Sequence, residues 1–182
     1  MKFPVGVQDF EALKRDNFAY VDKTALVYQL VNSGKYYFLS RPRRFGKSLL
    51  LTTIKAYLEG KKDLFKGLAI ESLEKDWTSY PILHLDLNTG LYNEPEGLNV
   101  VLKNQLVEWE ELYGTGKEEE TPALRFKGVI QRAYKKTGLP VVILVDEYDK
   151  PLLYTLDNPE LQDLYRTQLK SFYSVLKTMD GC

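Results

Sequence analysis

The chain has 182 residues, enough for one domain with a buried core, and at 44% hydrophobic and 27% charged it has the make-up of an ordinary soluble globular protein. Lysine plus arginine equals aspartate plus glutamate at 25 each, which excludes the global basic field that drives nucleic-acid binding by counterion release. No apolar run has the length of a membrane span, and the start Met1-Lys-Phe-Pro-Val-Gly6 lacks the apolar core of a signal peptide. The single cysteine, Cys182, rules out a disulfide framework or a cysteine metal site, so a cytoplasmic protein with no membrane partner is expected.

In chain order, residues 3–13 read as a packing arm with a turn near Lys14–Asn17. Asp22 is placed to cap the helix that follows, whose Ala25, Leu26, Val27, Leu30 and Val31 supply an apolar face until Asn32-Ser-Gly34 ends it. Lys35-Tyr-Tyr-Phe-Leu-Ser40 is aromatic and apolar between turn residues, the pattern of a buried strand. Next, Leu49, Leu50, Leu51, Ile54, Tyr57 and Leu58 recur at helical spacing from Lys47 to a stop at Gly60. Residues 61–80 hold two short amphipathic pieces, near Leu64–Phe65 and Leu73–Trp77.

Pro81-Ile-Leu-His-Leu-Asp-Leu87 is the next predicted strand, in which His84 reads as a packed core histidine and Asp86 as a capping or structural residue. After a polar loop over Asn88–Glu94, a helix is predicted from about Pro95 to Tyr113. Gly114-Thr-Gly-Lys117 resembles a phosphate loop, but three glutamates follow where a phosphate would be repelled, so it reads as an exposed turn. A second helix over Thr121–Lys136 ends at Gly138. The Val141–Val145 strand that follows is continuously apolar, as in a strand buried on both faces of a parallel sheet. A last helix, with Leu161, Leu164, Tyr165, Leu169, Phe172, Tyr173 and Leu176, follows Asp157-Asn-Pro159.

Two segments carry chemistry. Arg41-Pro-Arg-Arg-Phe-Gly-Lys-Ser48 opens a helix with a Gly-Lys-Ser turn, where free backbone N–H groups and the helix dipole favour an anion. Lys47 adds a mobile positive charge, and Ser48 a hydroxyl of the kind that ligates Mg²⁺. Downstream, Val141-Val-Ile-Leu-Val-Asp146-Glu147 ends a strand on two acids, with Asp146 the usual second anchor for that ion. Together they predict nucleoside triphosphate binding. In the usual G-x-x-x-x-G-K-[ST] pattern the first glycine would fall at Arg41, and Pro42 removes a donor. Arg41 is therefore expected to take an extended path, as residues before proline prefer, while Arg43 and Arg44 read either as phosphate or partner contacts that offset the lost donor or as an ordinary solvated pair balanced by acids.

Strands alternating with helices predict an α/β fold with a parallel central sheet flanked by helices and right-handed crossovers. Ligands in such sheets sit at the carboxyl ends of strands, here Ser40, Leu87 and Asp146.

Phe3-Pro-Val-Gly-Val-Gln-Asp-Phe10, Tyr20-Val-Asp-Lys-Thr24, Arg41-Pro-Arg-Arg-Phe-Gly-Lys-Ser-Leu49 and Val145-Asp-Glu-Tyr-Asp-Lys-Pro151 resemble the bacterial AAA-ATPase-like family, through nearly the whole chain. The resemblance implies a P-loop NTPase of the additional-strand class, spanning residues 1–182 and incomplete at its C-terminal strands. It also implies Walker A and Walker B roles: Arg43, Arg44, Phe45, Gly46, Lys47, Ser48 and Leu49 on the nucleotide, Ser48 and Asp146 at Mg²⁺, and Glu147 polarising water. ATP and Mg²⁺ are the implied cofactors. Longer members often carry a C-terminal nuclease-like domain of the PD-(D/E)XK type, and any nucleic-acid partner would enter through such a domain. In the family fold a strand bearing a polar sensor lies between the two motif strands, and this chain stops before it. The primary expectation is an Mg-dependent ATPase module. The alternative is a nucleotide-responsive protein-interaction module with little hydrolysis, and a protein partner or homo-oligomer fits either. Arg125, Arg132 and Arg166 are candidate arginine fingers that the sequence does not separate.

Overall fold

A computed structural model describes residues 2–42 and 44–182, so Met1 and Arg43 lie outside the described residues. The chain packs as two compact units, Met1–Tyr80 and Pro81–Cys182.

The first unit is helical. It contains α1 (Phe10–Arg15), α2 (Thr24–Ser33), α3 (Lys47–Leu58), a 3₁₀ turn over Lys62–Phe65 and α4 (Ala69–Leu73). Its core is aromatic: Phe10 and Phe65 are fully buried with ring centroids 5.0 Å apart, and Trp77 stands 5.3 Å from Phe65 and 5.8 Å from Tyr57. Each such ring pair contributes about 0.5–1.5 kcal/mol beyond area burial. α1 arises where an arm was expected because Asp9 accepts the Ala12 N–H at its start. Asp22 does more than cap one helix. Its Oδ1 accepts the Thr24 N–H at 2.8 Å, and its Oδ2 accepts the Ala69 N–H at 2.7 Å, so one carboxylate joins the starts of α2 and α4. The predicted apolar face of α2 is only partly used: Val27 is buried, whereas Leu26 is exposed.

The predicted buried strand Lys35–Ser40 does not form. Residues 36–40 are irregular, and Tyr36, Tyr37, Phe38 and Leu39 are exposed. A strand is defined by its neighbour, and no strand partner lies beside this segment among the described residues. The Tyr37 hydroxyl instead donates to the Leu30 carbonyl near the end of α2, which folds the segment back on that helix.

The second unit holds β1 (Ile82–Asp86), α5 (Gly97–Tyr113), α6 (Pro122–Thr137), β2 (Val142–Asp146), α7 (Lys150–Leu153) and α8 (Pro159–Thr178). β1 and β2 pair in parallel with Leu83 opposite Ile143 and Asp86 opposite Asp146. One sheet face, with Leu83 and Leu85 buried and Ile143 and Val145 packed beside them, joins a core of Leu98, Leu102, Trp109, Phe126, Tyr165 and Phe172 from the helices. Phe126 and Phe172 stack at 4.3 Å. Here the local chemistry is the predicted one. Thr121 accepts the Leu124 N–H, Pro122 opens α6, and Gly138 closes it with φ 69°. Asn158 accepts the Leu161 N–H and Pro159 opens α8. β2 is less covered than the run of apolar residues predicted, with only Leu144 buried. The described sheet is thus two parallel strands flanked by helices.

Candidate functional site

The Gly-Lys-Ser turn sits as its spacing predicted, at the N-terminus of α3. Gly46 has φ 73°, the left-handed region that glycine enters without a Cβ penalty, and among the described residues no atom beyond its chain neighbours lies within 4 Å of where a Cβ would stand. The first α3 bond runs from the Leu50 N–H to the Gly46 carbonyl at 3.0 Å, and among the described residues no side-chain cap bond closes the turn before it. The leading N–H groups of Lys47, Ser48 and Leu49 therefore face outward from an uncapped helix start, the arrangement that suits an anion. Lys47, Ser48 and Leu49 are half-buried, while Arg44, Phe45 and Gly46 are exposed. Arg43 lies outside the described residues.

Arg41 does not enter the left-handed region, as its position before Pro42 predicts. Arg44 does, with φ 67°, at a cost of roughly 1–2 kcal/mol for a residue with a Cβ. The sequence carried no sign of this, because asparagine or glycine normally marks such a position. α3 is held from behind by the N-terminal arm: the Thr52 hydroxyl donates to the Gln8 carbonyl at 3.0 Å and accepts the Phe10 N–H at 3.1 Å. That gives a physical role to Gln8 and Phe10 at the end of the Phe3–Phe10 string, which anchor the helix that carries Lys47.

In the second unit, Asp146 ends β2, and its Oδ1 accepts the Glu147 N–H at 3.0 Å. Glu147 has φ 52°, a second strained residue placed on an acid the sequence marked for chemistry. The chain then turns, with the Lys150 N–H donating to the Glu147 carbonyl at 3.0 Å. Lys150 Nζ reaches back to the Asn88 carbonyl at 2.6 Å and to Asn88 Oδ1 at 2.5 Å, tying the loop after β2 to the loop after β1. No spacing rule links Lys150 to Asn88, so sequence reasoning missed this clamp. In-register pairing also sets Asp86 beside Asp146 at the carboxyl end of the sheet, on the face opposite the core.

Oxygen donors of this kind suit Mg²⁺, which keeps several waters and is held by one or two protein groups together with phosphates rather than by an all-protein cage. Among the described residues, no group of three His, Cys, Asp or Glu residues could hold a metal ion by itself. Two of the three candidate arginines are engaged. Arg125 forms a two-pronged ion pair with Glu110 at 2.7 and 2.6 Å, and Arg132 one with Glu119 at 2.5 and 3.1 Å, both largely buried. Arg166 is exposed and touches Asp163 and Gln162 of its own helix. The rejected Gly114–Lys117 loop is a turn, with the Gly116 N–H donating to Glu119. Among the described residues, no helix is long and apolar enough to cross a membrane.

A family model described as "Predicted AAA-ATPase" matches residues 4–182. A protein of Azotobacter chroococcum mcd 1, described as an uncharacterized protein in the vnfD 5′ region, is 38% identical over 182 residues, which is 99% of this chain. The chain spans about a third (35%) of that relative's length. No solved structure matches the chain.

Proposed function

Because the chain belongs to the predicted AAA-ATPase family, we propose that it is an ATP-binding module and, within a complete protein, part of an Mg-dependent ATPase. The observation that carries the proposal is the uncapped start of α3, opened by left-handed Gly46 and followed by half-buried Lys47 and Ser48. In this reading the N–H groups of residues 46–49 and the Lys47 ammonium bind the phosphates, and Arg44 and Phe45 contribute to the nucleotide site. The Ser48 hydroxyl and the Asp146 carboxylate are the groups that would hold Mg²⁺, which would supply positive charge against the phosphates. Glu147 orients the attacking water and takes its proton. The left-handed backbone at Glu147 supports a positional role for that side chain, since strain of this kind persists where surrounding structure enforces it.

A second reading, nucleotide binding that regulates a protein contact with little turnover, draws support from the exposed aromatic side chains of Tyr36, Tyr37 and Phe38 just before the loop. Binding is tested first. With Mg-ATP at 100-fold over Kd, stabilisation is about 2.7 kcal/mol, a melting shift of roughly 5–11 °C at this chain length. Lys47→Ala should abolish the shift. Folded wild-type protein with no shift at saturating Mg-ATP would overturn the proposal.

A further inference from the structure

A groove of about 520 Å³ runs along the second unit between α5 and the loop after β1. Leu91 and Val100, 74% and 51% exposed, form its apolar floor. Asp86, Glu94, Glu96 and Glu108 form its rim, and among the described residues no lysine or arginine lines it. The floor is built in: at Gly97 the loop backbone lies so close to α5 that a Cβ would stand 2.0 Å from the Leu91 carbonyl oxygen. The Tyr165 hydroxyl fixes the same loop by donating to the Glu94 carbonyl.

Three of the four rim carboxylates are oriented by neutral donors. Asp86 accepts the Asn88 N–H at 2.8 Å, Glu96 the Asn99 amide at 2.8 Å, and Glu108 the Gln105 amide at 2.8 Å. Among the described residues no ion pair reaches any of the four. The chain as a whole is neutral, with 25 charges of each sign, so the rim is a local concentration of uncompensated negative charge over an apolar trough. A cleft lined by one sign of charge with low-dielectric walls focuses its field on what enters.

We propose that this groove docks a basic, apolar peptide segment of a partner protein, an aliphatic or aromatic side chain seated on Leu91 and Val100 and lysine or arginine side chains set against the rim. Negative charge excludes nucleic acid and anionic lipid. A bare cation would leave the floor in water and would find no group of three ligating side chains. A polyamine satisfies the rim but also leaves Leu91 and Val100 uncovered. An amphipathic segment with one apolar and one basic face satisfies both, in the manner of helix-in-groove recognition.

The test is fluorescence anisotropy without nucleotide, using a labelled amphipathic peptide of leucine and lysine and its counterpart with glutamate for lysine. The lysine peptide should bind saturably and the glutamate peptide should not. Glu94→Gln with Glu96→Gln should weaken binding at least fivefold at low salt, Val100→Ser should do so at low and high salt, and Lys103→Ala should have no effect. Melting curves matching wild type show that the variants are folded. Lys47→Ala should bind the peptide as wild type does, which separates this proposal from the nucleotide reading. Equal affinity in all variants, or spermine displacing the peptide while Val100→Ser changes nothing, would overturn it.

Discussion

Replacing Gly128 with alanine should destabilise the protein, against the usual rule for helix interiors. Gly128 lies within α6, where glycine to alanine ordinarily stabilises by about 1 kcal/mol. Here the missing side chain leaves room for a carboxylate: an alanine Cβ would stand 1.7 Å from Glu119 Oε1 and 2.7 Å from Arg132 Nη1. Glu119 would have to leave, losing two bonds from Arg132 and one from the Gly116 N–H. Charge-assisted bonds of this kind are worth about 1.5–3 kcal/mol, more than the gain in helix propensity. The expected net loss is about 1–2 kcal/mol. In a Glu119→Ala background only the end of the Arg132 side chain, released from its ion pair and able to swing aside, stands near the new Cβ, and the same substitution should stabilise by about 1 kcal/mol. Urea denaturation of the four proteins reads the coupling directly, provided the slopes stay equal. The reasoning fails if Gly128→Ala stabilises both backgrounds by the same amount.

Glu147→Gln should hold nucleotide affinity within a few fold and abolish hydrolysis, while Asp146→Asn should weaken Mg-dependent binding; equal affinity losses in a titration would refute that division. The Glu110 carboxyl is held below its ordinary value of 4.5 by its hydrogen bonds from Arg125. Its contribution should therefore be complete above about pH 4.5 and vanish as pH falls through the lower folded value, so wild type should lose more stability than Glu110→Gln between about pH 5 and pH 3 in urea melts. A polypeptide extended past residue 182 toward the length of its relative should hydrolyse ATP at least tenfold faster per folded molecule, about 1.4 kcal/mol in barrier; matching rates would show that residues 1–182 are already the full catalytic unit.

What the sequence discloses follows range of interaction. α3 and α6 are bounded by local chemistry, Gly46 and Gly60 for one and Thr121, Pro122 and Gly138 for the other, and their limits are readable within a residue or two. Both strands of the sheet are readable from branched apolar runs. Lys35–Ser40 has the same character, yet strand formation depends on a partner that local pattern cannot supply. The very short α1 and α7 carry too few residues for periodicity to show. The three-glutamate run looked like solvated charge, and Glu119 escapes that description only because Arg132 and Gly128 sit 13 and about 9 positions later. At the candidate site the Gly46-Lys47-Ser48 turn is legible. The left-handed Arg44 and Glu147 are not, because the residues themselves disfavour that backbone.

The parallel pairing of β1 with β2 bears on the order in which the second unit assembles. The α5 and α6 helices contact each other through pairs such as Arg125 and Glu110, 15 positions apart, whereas Lys150 and Asn88, which clasp the sheet's carboxyl end, are 62 positions apart. Closing a loop of that length costs roughly 4 kcal/mol of chain entropy, and it is repaid only once the helical hairpin between the strands is in place. Folding should therefore run from the helices to the strands, with the Asp146–Glu147 corner the last part to acquire its shape. Substitutions at the α5–α6 contact should slow refolding, and substitutions in the Lys150 clasp should mainly speed unfolding.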